Sequence, residues 1–262
     1  MNGEMLRLPN GRSWQVFSGG AGPDLLWLHG LRGVDPADPM LAALQKRYRV
    51  VAPVAPGFND LDELSKIDNI HELALDYDDL IEALKLRDFA LVGHSFGAMI
   101  AAEIAAHFPR RPKRLILIAP FGLWNEAYPV ADIFAIAYTQ LDDILWHDAK
   151  ARDAFAKPAA GEADAKAAAD QMINLARSLT AVTKFVWPIP DRGLRRRLPR
   201  IVCPTLVLFG AEDAVIPARY AEDFRAGIRN VQTASVARAG HMLPYEQPQQ
   251  VLELIGREPV AG

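Results

Sequence analysis

The 262-residue chain holds a single cysteine, Cys203, so it forms no intrachain disulfide and assembles no cysteine-based metal cluster. Its six histidines never fall at the H-x-x-x-H spacing that presents two imidazoles on one helix face. There is no G-x-G-x-x-G opening a βαβ unit and no Walker pattern, so neither a cofactor nor a metal is expected. Charge of one sign is also scarce. The formal net charge of -3 argues against a general nucleic-acid binder and offers no attraction to an anionic membrane surface. The apolar run Ile133 to Tyr138 is far too short to cross a bilayer. The first residues, M-N-G-E-M-L-R-L, carry an early acid and no apolar h-region; no signal peptide is read, and a cytoplasmic location is the expectation. The expected partner is a small-molecule substrate.

What the chain does have is apolar side chains, 50% of its residues, enough for a large core. Two short strands, Glu4 to Leu8 and Ser13 to Phe17, flank P-N-G, a hairpin signal. Apolar strands follow at Asp24 to Leu28, Arg49 to Val54, Phe89 to Val92 and Arg114 to Ala119; later strands are read at Thr205 to Phe209 and Val231 to Val236. Helical patterns lie between them. The segment Ile70 to Leu86 places Leu73, Tyr77, Leu80, Ile81 and Leu84 on one face. Strands apolar on both faces and separated by helices imply an α/β fold, a mostly parallel sheet covered on both sides. Between Phe121 and Pro199 no buried strand is evident. Phe121 to His147 reads as helical in pieces, and Gly161 to Leu179 as an Ala-rich helix. The domain reading is a core of residues 1–120 and 200–262 with a helical cap, residues 121–199, inserted into it.

The chemistry concentrates at F-A-L-V-G-H-S-F-G-A-M, Phe89 to Met99. A strand, a sharp turn and a helix meet there with Ser95 at the apex, and glycines on either side relieve collisions in so tight a turn. A serine nucleophile needs a base, and the base an orienting acid. Strand Thr205 to Phe209 runs into G-A-E-D, offering Asp213; strand Val231 to Val236 runs into A-R-A-G-H-M, offering His241. All three residues follow strand ends, so their loops open on the crevice at the sheet's carboxyl edge. Glu212 competes with Asp213 but is expected to point the other way.

With H-G at His29-Gly30, G-x-S-x-G around Ser95, G-x-x-D ending at Asp213 and G-H at His241, the chain resembles the α/β-hydrolase family from Asp24 to the closing helix. The resemblance implies Ser95 as nucleophile, His241 as base and Asp213 as acid. It also implies an oxyanion hole formed by the backbone N–H groups of Leu31 and Phe96. Two positions depart from the family's usual pattern, Val54 and Asn59, and neither belongs to the triad.

Cap composition points to an apolar pocket, with Trp124, Trp146, Trp187 and Met242 as candidate substrate contacts. His29 is read as a holder of the oxyanion loop, His94 as turned away from the crevice, and Cys203 as a small buried hydrophobe. Arginines 192 to 200 read as a solvated basic face. The leading functional expectation is hydrolysis of a carboxylic ester through an acyl-enzyme. The alternatives are a carbon–carbon hydrolase of ring-cleavage dienoic acids, a lactonase, and a ligand receptor on the same fold.

Overall fold

Successive side chains of a β-strand point to opposite faces, and in the central strands of this chain both faces are filled. The computed structural model describes residues 1–156, 165–188 and 192–257. Its strands are β1 (Asn2–Arg7), β2 (Ser13–Gly19), β3 (Asp24–Leu28), β4 (Arg49–Pro53), β5 (Ala90–His94), β6 (Arg114–Ile118), β7 (Thr205–Gly210) and β8 (Val231–Val236). Leu25 and Trp27 of β3 enter one buried cluster and Leu26 and Leu28 the other; Ile116 and Leu117 of β6 divide in the same way. The eight strands form one sheet in the order β1-β2-β4-β3-β5-β6-β7-β8. β1 pairs antiparallel with β2, and β2 antiparallel with β4. Every other pairing is parallel.

Helices cover both faces. On one side lie α1 (Pro39–Leu44) and, at the far end of the chain, the helix Pro248–Gly256, which contribute Met40, Leu41, Leu44, Val251 and Ile255. A short α2 (Leu61–Ser65), capped by the Asp60 carboxylate, interrupts the loop after β4, where the sequence shows no helical period. The other side is covered by α3 (Ile70–Ala83) and α4 (Phe96–His107). Every residue of α4 from Phe96 to Ala106 is buried, so it is the central helix of that layer.

Between β6 and β7 the described residues contain no strand. The stretch Phe121 to His147 is helical only at α5 (Tyr138–Leu145), not in several pieces. Upstream of α5 the backbone finds other partners: Ala131 N–H bonds the Val215 carbonyl at 3.0 Å, and the Asp132 carboxylate accepts from Phe134 N–H at 3.0 Å. Then come α6 (Ala149–Ala156), α7 (Ala165–Val186) and α8 (Leu194–Arg197), the last followed by a single 3₁₀ turn. α7 runs past Leu179 to Val186 because Val182, Phe185 and Val186 continue its buried face and no Pro or Gly intervenes. Residues 161–164, the expected start of that helix, lie outside the described residues, as does Asp191. The core resumes with β7, then α9 (Tyr220–Gly227), β8, α10 (Leu243–Glu246) and α11 (Pro248–Gly256). No helix among the described residues is long and apolar enough to cross a membrane.

Candidate active site

β5 ends at His94 and α4 begins at Phe96, which leaves Ser95 alone to reverse the chain. Its φ of 57° and ψ of -117° lie outside the regions a serine ordinarily occupies, a strain of about 1–3 kcal/mol that the surroundings must hold. They hold it from both sides: Ser95 N–H donates to the Ile118 carbonyl at 2.8 Å, and the Ser95 carbonyl accepts from Ala98 N–H at 3.0 Å. A Cβ on Gly93 would strike the Gly97 backbone, and one on Gly97 would strike the carbonyls of Leu28 and His29. The glycines therefore let strand, helix and the loop after β3 touch backbone to backbone.

The loops after β7 and β8 bring Asp213 and His241 to this turn. His241 Nε2 lies 2.7 Å from Ser95 Oγ, and His241 Nδ1 lies 3.0 Å from Asp213 Oδ2. Asp213 Oδ1 is taken by two backbone amides, Val215 N–H at 2.8 Å and Ile216 N–H at 2.9 Å. Only Oδ2 is left for the imidazole, so Nδ1 carries the proton and Nε2 presents its lone pair to the serine. All three residues are buried. Glu212 points elsewhere and accepts from Ala239 N–H at 3.0 Å.

Two backbone amides belong to segments that adjoin Ser95. Phe96 N–H belongs to the first turn of α4 and has no intrahelical acceptor. Leu31, just after Gly30, lines the same small cavity as Ser95, and among the described residues its amide donates to no backbone carbonyl. His29 fixes that loop: Nδ1–H donates to the Gly30 carbonyl at 2.8 Å, and Nε2 accepts from Ala55 N–H at 2.9 Å. Burial pushes the His29 imidazole down to about 4, so it stays neutral and can perform both tasks.

His94 departs from its sequence reading. Its ring lines the cavity, and its Nε2–H donates to the His241 carbonyl at 2.9 Å. Burial, reinforced by repulsion from His241, lowers it to about 3 and keeps it neutral. The missed signal was its position as the last residue of β5, beside the crevice.

The cavity at Ser95 has a volume of only about 10 Å³, room for one water at most. A larger chamber of about 580 Å³ adjoins it and shares Leu31, Arg32, Gly33 and Tyr245. Met242 lines the inner cavity and Trp146 the outer chamber. Trp124 and Trp187 line neither. The Trp124 indole donates to Glu126, and Trp187 is 46% exposed, edge-on to Phe134. Residues not anticipated from sequence take their place. Tyr245 and Phe155 join Trp146 as an aromatic wall, with ring centroids 4.9 to 6.2 Å apart. Tyr245 follows His241 by four residues through a helical turn, a spacing that could have found it. At the neck, the Arg32 guanidinium pairs with Asp142 of α5.

Of the five arginines from 192 to 200, read as a solvated face, Arg192 and Arg196 are exposed, whereas the other three tie to the core. Arg197 binds the buried Glu103 carboxylate through two bonds of 2.7 Å, Arg195 binds Asp223 at 2.7 Å, and Arg200 donates to the Ala106 carbonyl at 2.8 Å. Glu103 also lies near His71 and His107, a grouping able to reach a metal ion, but both of its oxygens are already engaged by Arg197. Cys203 is buried, and burial raises its thiol to about 11, which leaves it inert. A cavity of about 160 Å³ at the amino-terminal ends of β6 to β8, lined by Arg114, Thr205 and Asn230 among others, is on the sheet edge opposite Ser95.

An open sheet with a serine, histidine and aspartate in hydrogen-bonded series at its carboxyl edge defines a class of proteins, and similarity to known proteins points the same way. The profile of the alpha/beta hydrolase family matches residues 25–254, and the chain belongs to that family. A polyketide synthase, ThaQ, of Burkholderia thailandensis is 28% identical over 255 aligned positions; the match covers 92% of this chain but only 12% of the synthase. The pyrrolizixenacetamide deacetylase of Xenorhabdus hominickii is 24% identical, with 90% of each chain covered. Among solved structures, a hydrolase from Pseudomonas aeruginosa PA01 superposes with a TM-score of 0.72 at 23% identity, covering 98% of this chain and 99% of that one.

Proposed function

We propose that this hydrolase is a serine enzyme that cleaves a carboxylic ester of a small, largely apolar substrate through an acyl-enzyme. The observation that carries the reading is the continuous series Asp213 Oδ2, His241 Nδ1, His241 Nε2, Ser95 Oγ, with separations of 3.0 and 2.7 Å. Ser95 Oγ attacks the ester carbonyl while His241 takes its proton. His241 then returns that proton to the departing alkoxide, and Asp213 stabilises the imidazolium between the two steps. The amides of Leu31 and Phe96 donate to the oxyanion, where one such donor is worth about 3 kcal/mol in the transition state. A water activated by His241 hydrolyses the acyl-enzyme.

Residues 121–199 act as the cap. Trp146 just after α5, Phe155 of α6 and Leu175 of α7 face the outer chamber as an apolar wall suited to an acyl or aryl group. The inner cavity holds no acyl group as it stands, so substrate enters by parting the Arg32–Asp142 pair at the neck. Carbon–carbon cleavage of a dienoate needs an arginine free for a carboxylate, and Arg195 and Arg197 are held by Asp223 and Glu103, which weighs against that reading. The deacetylase relative supports acyl transfer as the shared chemistry.

The test is a panel of activated esters of graded acyl length, an acetanilide and one ring-cleavage dienoate. It is run on the parent protein and on Ser95→Ala, with an organophosphonate to label the nucleophile. Ester turnover should exceed dienoate turnover, the label should sit on Ser95, and Ser95→Ala should lose about 10³- to 10⁶-fold in kcat while remaining folded. Dienoate turnover a hundredfold above ester turnover, or a label on another residue, refutes the proposal.

A further inference from the structure

Glu246, the last residue of α10, is a buried carboxylate that lines neither the Ser95 cavity nor the outer chamber. Its three partners are backbone amides from two separate parts of the chain. Oε2 accepts from Gly240 N–H at 2.7 Å, immediately before His241; Oε1 accepts from His147 N–H at 2.7 Å and Asp148 N–H at 2.8 Å, in the link between α5 and α6. On the other side of His241, Met242 N–H donates to the Leu145 carbonyl at 3.2 Å. Both neighbours of His241 are therefore fastened to residues 145–148, one through Glu246 and one directly. The contact between these two stretches is backbone to backbone: a Cβ on Gly240 would lie 2.8 Å from His147 N and 3.1 Å from the Leu145 carbonyl oxygen.

We propose that Glu246 is a positioning residue that couples the seating of the helical segment to the placement of His241. The inference rests on the reading of His241 as general base. A base works only within hydrogen-bond reach of the proton it abstracts, and a misplacement of about 1 Å can cost about 100-fold in rate. Asp213 orients the imidazole ring and His94 holds the His241 carbonyl, both from the core. The Gly240 and Met242 amides are held from the segment. If residues 145–148 shift, Glu246 cannot keep all three amides, and the loop carrying His241 loosens. A displaced segment thus disarms the enzyme, and a seated one arms it. The charge of the carboxylate matters because each oxygen must accept; a carboxamide offers one acceptor and turns a donor toward the other amide or amides.

The experiment measures kcat and KM on a short activated ester well below the melting temperature for Glu246→Gln, Gly240→Ala and the double variant. Amide exchange is followed in the parent protein. Glu246→Gln should lower kcat about 10- to 100-fold with KM within twofold, and Gly240→Ala, which pushes the segment away from the loop, should do the same. The double variant should be no worse than the poorer single one, because both break a single coupling. In the parent protein the amides of Gly240, His147 and Asp148 should exchange together. A Glu246→Gln enzyme with kcat within twofold of the parent overturns the proposal and leaves Glu246 as a brace. If the variants do not fold, exchange of His147 and Asp148 in a smaller opening than Gly240 overturns it equally. Ser95→Ala separates the two levels of failure: an active Ser95→Ala sinks the reading of the site itself, whereas an inactive one beside a fully active Glu246→Gln sinks only the coupling.

Discussion

Replacing Asp213 by asparagine removes one charge and no volume, and the structure dictates how the new side chain sits. Two amides, Val215 N–H at 2.8 Å and Ile216 N–H at 2.9 Å, require an acceptor at the Oδ1 position, so the carboxamide oxygen goes there. The NH₂ is then forced toward His241 Nδ1, 3.0 Å from the present Oδ2. Nδ1 must accept, the imidazole proton moves to Nε2, and the base presents N–H to Ser95 Oγ where a lone pair is needed. A tautomer reversal of this kind costs about 10⁴ in kcat, or about 5 kcal/mol of transition-state stabilisation. Stability should change little, because both backbone bonds to Oδ1 survive. Asp213→Ala reverses the balance. It strands two buried amides at about 1–3 kcal/mol each but forces no tautomer, so it should be the less stable variant and catalytically no worse than Asp213→Asn. The assay is kcat on an activated ester with urea unfolding in parallel, and Glu212→Gln as the control that stays near parent activity. Folded Asp213→Asn within tenfold of the parent, or a Glu212→Gln that is the more damaging, would refute the reasoning.

Two further outcomes follow from buried charges. His29 and His94 are held down to about 4 and about 3, chiefly by burial, while an unfolded histidine titrates near 6.5. Below about pH 6.5 the unfolded chain takes up protons the folded one refuses, so stability falls with falling pH, by about 1.4 kcal/mol per unit for each histidine until its folded value is reached. Urea midpoints from pH 7 to 4.5 should fall, less steeply in His94→Gln; a midpoint flat across that range contradicts the assignment. Arg197→Ala leaves the Glu103 carboxylate buried without its two 2.7 Å bonds and should cost about 3–5 kcal/mol by denaturant unfolding, with Glu103→Gln restoring part of the loss. No change on unfolding would mean that water or His107 replaces the guanidinium.

The middle of the sheet was legible because its strands are buried on both faces. Runs such as Asp24 to Leu28 and Arg114 to Ile118 have no polar side to confuse the period. The proximity of Ser95, Asp213 and His241 was legible for a related reason, since each follows a parallel strand and parallel strands end on one edge. The segment between β6 and β7 was not. Its backbone from Phe121 to Ala137 bonds Ser95, Val215, Tyr220, its own side chains and isolated turns, none of which leaves a periodic trace. Tryptophan content likewise pointed to Trp124 and Trp187, which line neither cavity, whereas Tyr245, whose hydroxyl bonds Asp38 at 2.9 Å, lines both through a contact 207 positions apart in sequence. The basic run ending at Arg200 shows the same limit, because composition records charge and not the buried acid it meets.

Those arginines bear on how the fold could be recombined. Residues 194–200 lie in the stretch between β6 and β7, yet Arg195, Arg197 and Arg200 grip Asp223, Glu103 and the end of α4. Mechanically they are the hem of the core and not the edge of what covers it. An exchange of the helical segment between related proteins, by gene conversion or by a designer seeking a new chamber, would therefore have to cut before Leu194. A graft that ended at Pro199 would carry Arg195 and Arg197 away with the donor and leave the recipient with Glu103, a buried anion, and no counterion. The helical segment is open to transplantation up to that seam, and beyond it the transplant becomes a folding problem.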